Sequence, residues 1–232
     1  MPSVALARIQ HEQYCVALES CGLVLTRLPA DDAHPDSTFV EDTAMIATGC
    51  AVLTRPGATS RAPETSAMRP VLRALIPDLR EIVAPGTVDG GDICDAGKHF
   101  FIGISLRTNE VGAAQMAAFL RGAGYTASTV DIRSVPGILH LKSGVVALDD
   151  GRLVVIRALA DHPEFREYQR LVVADGEEYA ANCVQVNNRV LVAAGFPQVR
   201  ERLESFGYST LALEMSEFQK MDGGLSCLSL RF

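Results

Sequence analysis

One unit recurs along this chain: an amphipathic helix that stops at a breaker and runs straight into a strand. Five copies are read, QYCVALESCG then LVLTRL, SAMRPVLRALIPD then LREIVAP, GAAQMAAFLRGAG then YTASTVDI, HPEFREYQ then RLVVAD, and FPQVRERLESFG then YSTLALEM. Three of the helices finish alike, as ESCGL, RGAGY and ESFGY. Gly22, Gly124 and Gly207 therefore fall where a helix closes with a left-handed residue, which glycine adopts without a Cβ clash. Strand pairs with D-A-G, D-D-G and N-N centres fill gaps between copies, in ICDAGKHFFIGI, GVVALDDGRLVVI and CVQVNNRVLVAAG, and these centres read as hairpin turns. Repeats at intervals of a few tens of residues imply a stacked or closed array. The expectation is an α/β fold of five modules arranged as a ring. No Ser- or Pro-rich linker divides the copies, so residues 1–232 are expected to form a single domain.

Composition narrows the functional classes. At 48% hydrophobic and 21% charged residues, the chain lies outside the disordered and collagen-like classes. A net charge of −7 with dispersed Arg and Lys gives no basic stripe for nucleic acid, whereas an acidic cleft suits a small cation. No apolar run is long enough to cross a bilayer, and MPSVALARIQHEQY lacks the layout of a cleaved signal. A cytoplasmic protein without a membrane partner is expected. The six cysteines are scattered with no C-x-x-C pair, so neither a zinc spacing nor a disulfide framework is indicated.

Polar residues cluster where each copy's strand hands over to the next module. PDSTFVED carries Asp36, Glu41 and Asp42; GTVDGGD carries Asp89 and Asp92; PGILHLKS carries His140; YAANC carries Asn182; DGGLSC carries Cys227. In a ring these handover points converge, so residues distant in sequence would share one site. Cys227 follows a double glycine, and the L-S-C-L-S-L alternation around it reads as a short strand. A lone cysteine in such a strand is more often a small buried hydrophobe, and a single histidine more often a core residue. A cysteine, a histidine and a carboxylate at convergent positions nevertheless have the form of an activated nucleophile, its proton partner and the group that orients that partner. The other five cysteines read as structural, and His11, His34, His99 and His162 as surface or helix-end residues. Asn182 reads as a hydrogen-bonding scaffold.

FVED, GTVDGGD, HLKS, YAANC and DGGLSCLSLRF occur in that order. From about Val24 to Phe232 the chain closely resembles the dimethylarginine dimethylaminohydrolases, members of the guanidino-modifying or pentein superfamily built on a five-module α/β propeller. The resemblance implies Cys227 as nucleophile, His140 as general acid and base, and Asp89 as the supporting carboxylate. It implies that Asp42 receives a guanidinium, with Asp36 and Glu41 shaping the same wall. Arg61 and Arg107 match arginines that hold an amino acid's α-carboxylate, and Met221 joins the substrate-binding set. A planar guanidinium suits carboxylates, which accept its forked donors in pairs. The related deiminases commonly carry an aspartate two residues after the histidine, where this chain has Lys142. Lysine cannot accept hydrogen bonds, so that edge of the pocket is open to methyl groups. The implied reaction is hydrolysis of Nω-methylated arginines to citrulline and methylamine or dimethylamine, with no metal or organic cofactor and room for a homodimer. Relatives usually begin with a further strand and loop, so either the true start lies upstream or the first module is shortened at its N-terminus and its lid differs. A deiminase or hydrolase of another guanidino or ureido compound, or a noncatalytic pentein that binds arginine-like ligands or a protein, are the competing readings.

Overall fold

A computed structural model describes residues 1–76 and 78–232. In chain order the α-helices are α1 (Val4–Ser20), α2 (Ala62–Leu75), α3 (Glu110–Gly122), α4 (Leu141–Gly144), α5 (Pro197–Ser205) and α6 (Ser216–Gln219). The strands are β1 (Ala44–Ala47), β2 (Cys50–Leu53), β3 (Leu79–Glu81), β4 (Ile93–Asp95), β5 (His99–Ile104), β6 (Thr126–Asp131), β7 (Val145–Leu148), β8 (Arg152–Val155), β9 (Gln169–Val172), β10 (Val184–Val186), β11 (Arg189–Ala193) and β12 (Ser209–Leu213). They form four three-stranded sheets of one design, an antiparallel hairpin whose second strand pairs in parallel with a third: β1-β2-β3, β4-β5-β6, β7-β8-β9 and β10-β11-β12. The α/β class and the modular repetition expected from sequence are thus the ones found.

The chain divides into two compact units, Ala30–Lys142 with Cys227–Phe232, and Met1–Pro29 with Ser143–Ser226. In the first, α3 buries Ala113, Met116, Ala117 and Leu120 in a cluster with Val52, Phe100 and Ile102. That i, i+3, i+4, i+7 spacing puts all four side chains on one helical face, and full burial of a residue such as Met116 or Leu120 contributes about 1.5–3 kcal/mol. Asn109 caps α3 by accepting from the Gly112 N–H at 2.8 Å, and the same oxygen takes the Thr87 N–H at 3.0 Å. The segment leading to Asp89 is thereby moored to the helix start. A second cluster, Ala44, Leu53, Met68 and Leu72, receives Leu230 from the chain's end.

The second unit holds α1 against α6 through a buried glutamine. Gln10 donates to Ser216 Oγ at 2.8 Å and accepts from the Glu217 N–H at 3.0 Å, which satisfies both ends of its amide. Gly22, Gly124 and Gly207 have φ of 93°, 90° and 91°. Each closes its helix with the same pair of bonds, for example Gly207 N–H to Glu204 O at 2.9 Å and Tyr208 N–H to Leu203 O at 3.2 Å.

Several sequence expectations need correction. LVLTRL, residues 23–28, forms no strand and joins none of the sheets found among the described residues. HPEFREYQ forms only a 3-10 turn, Pro163–Phe165, whose Phe165 is fully buried; proline starts the turn and the link from β8 to β9 needs no longer helix. The strand expected around Cys227 is one 3-10 turn, Ser226–Leu228, since this segment has no ladder partner. The helix read in SAMRPVLRALIPD ends at Leu75, and its Pro77 lies outside the described residues.

Candidate active site

Asp42 lies in a 3-10 turn, Val40–Thr43, and Asp89 just before another, Gly90–Asp92. Both carboxylates are buried. Asp89 accepts from the Gly57 N–H at 2.8 Å and faces His140 Nε2 at 3.0 Å, while Asp42 Oδ1 takes the Gly91 N–H at 2.9 Å and stands 3.9 Å from the same Nε2. The double glycine is what permits this approach. A Cβ on Gly91 would stand 2.8 Å from His140 Cγ and Nδ1, and one on Gly90 would collide with the Glu41 carbonyl.

Asp92 fixes the backbone beside the imidazole. One oxygen accepts from the Leu141 N–H at 2.9 Å and the other from Ser105 Oγ at 2.7 Å. Ser105 Oγ in turn accepts from the Arg107 and Thr108 N–H groups at 2.9 and 3.0 Å. One buried carboxylate therefore positions both the histidine segment and the loop that carries Arg107. Burial pushes the Asp92 carboxyl up from the usual range.

Burial by itself would lower the His140 pKa, but the charge of Asp42, the hydrogen bond to Asp89 and the charges of Asp92 and Asp89 together raise it to about 9. Burial opposes the charge of Asp42 too, yet the charges of His140 and Arg61 and the bonds from Gly91 and Arg61 hold its carboxyl below the usual range. At neutral pH the site accordingly contains an imidazolium facing carboxylates. The donor atoms of Asp42, Asp89 and His140 lie within 4.8 Å of one another, close enough to ligate a cation, though the hydrogen bonds above already occupy them.

Cys227 is half-buried, and the other five cysteines are buried. The nucleophile expected from sequence belongs to the same compact unit as Asp42, Asp89 and His140, although the segment immediately before it does not. Its loop is shaped by Asn182, which accepts from the Ser226 N–H at 2.9 Å and donates to Ser226 Oγ at 3.0 Å. Gly224 lies so close to this carboxamide that a Cβ would strike it. The left-handed residue of the turn is Asp222, with φ 59°.

The remaining expected residues differ in their surroundings. Arg61 is buried and its guanidinium is spent within the protein, on Asp42, on both Glu64 oxygens and on the carbonyls of Asp36 and Phe39 at 3.1 and 3.0 Å. Arg107 is half-buried, and its guanidinium has no hydrogen-bond or ion-pair partner among the described residues. The Asp36 side chain is exposed. Glu41 is buried against Lys142 at 2.6 Å and Arg231 at 3.5 Å. Met221 lies in the turn after α6, in the other unit. Sequence reasoning assigned no role to Glu64, Ser105 or Arg231; only Glu64, three residues beyond Arg61 at a helix start, carries a local signal of its pairing.

No family model matches the chain. An N(G),N(G)-dimethylarginine dimethylaminohydrolase of Pseudomonas aeruginosa is 43% identical over 232 residues, covering 100% of this chain and 90% of that one. One of Streptomyces coelicolor is 35% identical over 227 residues, covering 97% and 86%. Among solved structures, a mutant of the Pseudomonas aeruginosa enzyme complexed with citrulline matches with a TM-score of 0.96 and 41% identity, covering 100% of this chain and 90% of that one. Identity at this level along the whole chain, with the fold reproduced, makes the chain a member of the dimethylarginine dimethylaminohydrolase family.

Proposed function

We propose that Cys227, His140 and Asp89 carry out, as one catalytic domain, the hydrolysis of Nω-methylated L-arginines to L-citrulline and methylamine or dimethylamine. The observation that carries the assignment is the buried set of Asp42, Asp89 and protonated His140 in the compact unit that also takes in Cys227. Asp42 offers a charged acceptor to the guanidinium. The Cys227 thiolate adds to the guanidinium carbon, and the His140 imidazolium gives its proton to the departing amine as the C–N bond breaks. An S-alkylthiouronium remains. His140, now neutral, removes a proton from water as the water adds to the same carbon; the C–S bond then breaks, releasing citrulline and the thiolate. Asp89 orients the imidazole and favours its charged form. Arg107, whose guanidinium is uncommitted, is the group we assign to the α-carboxylate, with Asp36 at the edge of the substrate site.

Lys142 supports methylated over free arginine, because its ammonium is held on Glu41 and leaves no carboxylate at the position where deiminases carry one. No helix among the described residues is long and apolar enough to cross a membrane; we place the protein in the cytoplasm, acting on a free small molecule and assembled as a homodimer. Incubation with asymmetric dimethylarginine, monomethylarginine and arginine, with citrulline and released amine measured together, tests the reading. A larger kcat/KM for the methylated substrates is expected, and preferential release of ammonia from arginine contradicts it.

A further inference from the structure

Glu41 lies where several parts of the site meet. It precedes Asp42 in the chain, and its carbonyl lies against Gly90, the neighbour of Asp89. Its buried carboxylate stands 2.6 Å from Lys142 Nζ and 3.5 Å from Arg231 Nη2. Lys142 is two residues beyond His140, and Arg231 is four beyond Cys227. Arg231 is itself oriented, donating from Nη1 to Ser229 Oγ at 2.6 Å and to the Ser229 carbonyl at 3.2 Å, while Leu230 packs into the cluster of Ala44, Leu53, Met68 and Leu72. The nucleophile's segment and the histidine's segment are thus drawn to one oxygen, Glu41 Oε1.

We propose that Glu41 is a positioning residue: through Lys142 and Arg231 its carboxylate holds the segments of His140 and Cys227 in register with Asp42. The proposal rests on the catalytic roles assigned above. A buried carboxylate needs partners that carry charge, because leaving it unpaired is costly. Two cations from the two catalytic segments meet that need, so the requirement that stabilises the ion also sets the distance between the reacting groups.

Steady-state citrulline formation from asymmetric dimethylarginine should be compared for wild type, Glu41→Gln, Arg231→Ala, Arg231→Lys and the double variant Glu41→Gln/Arg231→Ala. Arg157→Ala, which breaks an exposed pair with Asp175, is the control and should leave activity unchanged. Glu41→Gln and Arg231→Ala are expected to lower kcat by about tenfold or more with KM held within about threefold, since a misplacement of ~1 Å can cost on the order of a hundredfold. Arg231→Lys should recover most of the loss, and the double variant should be no worse than the poorer single one, because both break the same tie. In a second arm, the rate of Cys227 alkylation by iodoacetamide at fixed pH should differ from wild type by about threefold or more in Arg231→Ala, as expected of a misplaced side chain, and stay near wild type in Arg231→Lys. A rise in KM at constant kcat, additive losses, or a wild-type alkylation rate in Arg231→Ala overturns the proposal. Should Glu41→Gln fail to fold, the two Arg231 variants decide. A wild type that forms no citrulline refutes the functional reading, and the alkylation arm still decides whether Arg231 positions the thiol.

Discussion

His140 keeps its proton because the charge of Asp42, the hydrogen bond to Asp89 and the charges of Asp92 and Asp89 outweigh the cost of burying an imidazolium. This suits it to the acid role proposed for it. Its role requires the proton in the free enzyme, so kcat/KM should fall as pH rises through about 9. A guanidinium bound at Asp42 offsets the charge that retains the proton, which lowers the histidine pKa in the complex. The alkaline limb of kcat should therefore lie at lower pH than that of kcat/KM, and coincident limbs in a pH-rate profile would contradict the assignment. The two arginines should separate in a different way. Arg61 orders Asp42 from within the protein, so Arg61→Ala should reduce kcat for a carboxylate-bearing substrate and its decarboxylated analogue alike, by about tenfold or more for loss of a buried charged partner. Arg107→Ala should raise KM only for the substrate that has a carboxylate. The reverse pattern in steady-state kinetics would return the tail-binding role to Arg61.

Short turns do the positioning. Asp42, Asp89 and Cys227 all lie in or beside single turns of 3-10 helix, each braced by buried polar bonds. Replacing Gly91 by Ala puts a methyl group 2.8 Å from the imidazole and 2.9 Å from Asp42 Oδ1, inside van der Waals distance of both. Gly91→Ala should lower kcat by about a hundredfold, the scale of ~1 Å misplacement, with the far-ultraviolet circular dichroism retained; wild-type kcat would show that the loop yields freely. Four of the five helices read, in α1, α2, α3 and α5, and the three hairpins read were legible in sequence because their signals are local. The three glycine caps, the face of α3 and the D-A-G, D-D-G and N-N turns each depend on residues a few positions apart. The β1–β2 hairpin, in AMIATGCAVL, was not singled out. The turns of the site were legible only as motifs, since their shape depends on distant partners: Gly57 for Asp89, Leu141 for Asp92, Asn182 for Ser226. For the same reason the tie of Arg61 to Asp42 was not legible. Its composition-neutral flank, TSRAPE, gives no sign that Asp42, nineteen residues earlier, claims it.

For the molecule as a whole, a discontinuous unit gathers the chemistry. Residues 30–142 hold the proposed carboxylates and histidine, and residues 227–232 of the same unit hold the proposed thiol. The charge of −7 agrees with a cationic substrate, and the buried carboxylates of the site are compensated by Arg61, Lys142, Arg231 and His140. Family membership, the fold and the charge balance therefore converge on methylarginine hydrolysis, with covalent chemistry at Cys227 as the step on which everything else depends. That step can be trapped. Protein mixed with asymmetric dimethylarginine, quenched in acid within its first turnovers and digested for peptide mass spectrometry, should carry the thiouronium adduct on the peptide containing Cys227. Cys227→Ser should give neither adduct nor citrulline. An adduct on another cysteine, or citrulline formed by folded Cys227→Ser at a rate within tenfold of wild type, would contradict the account.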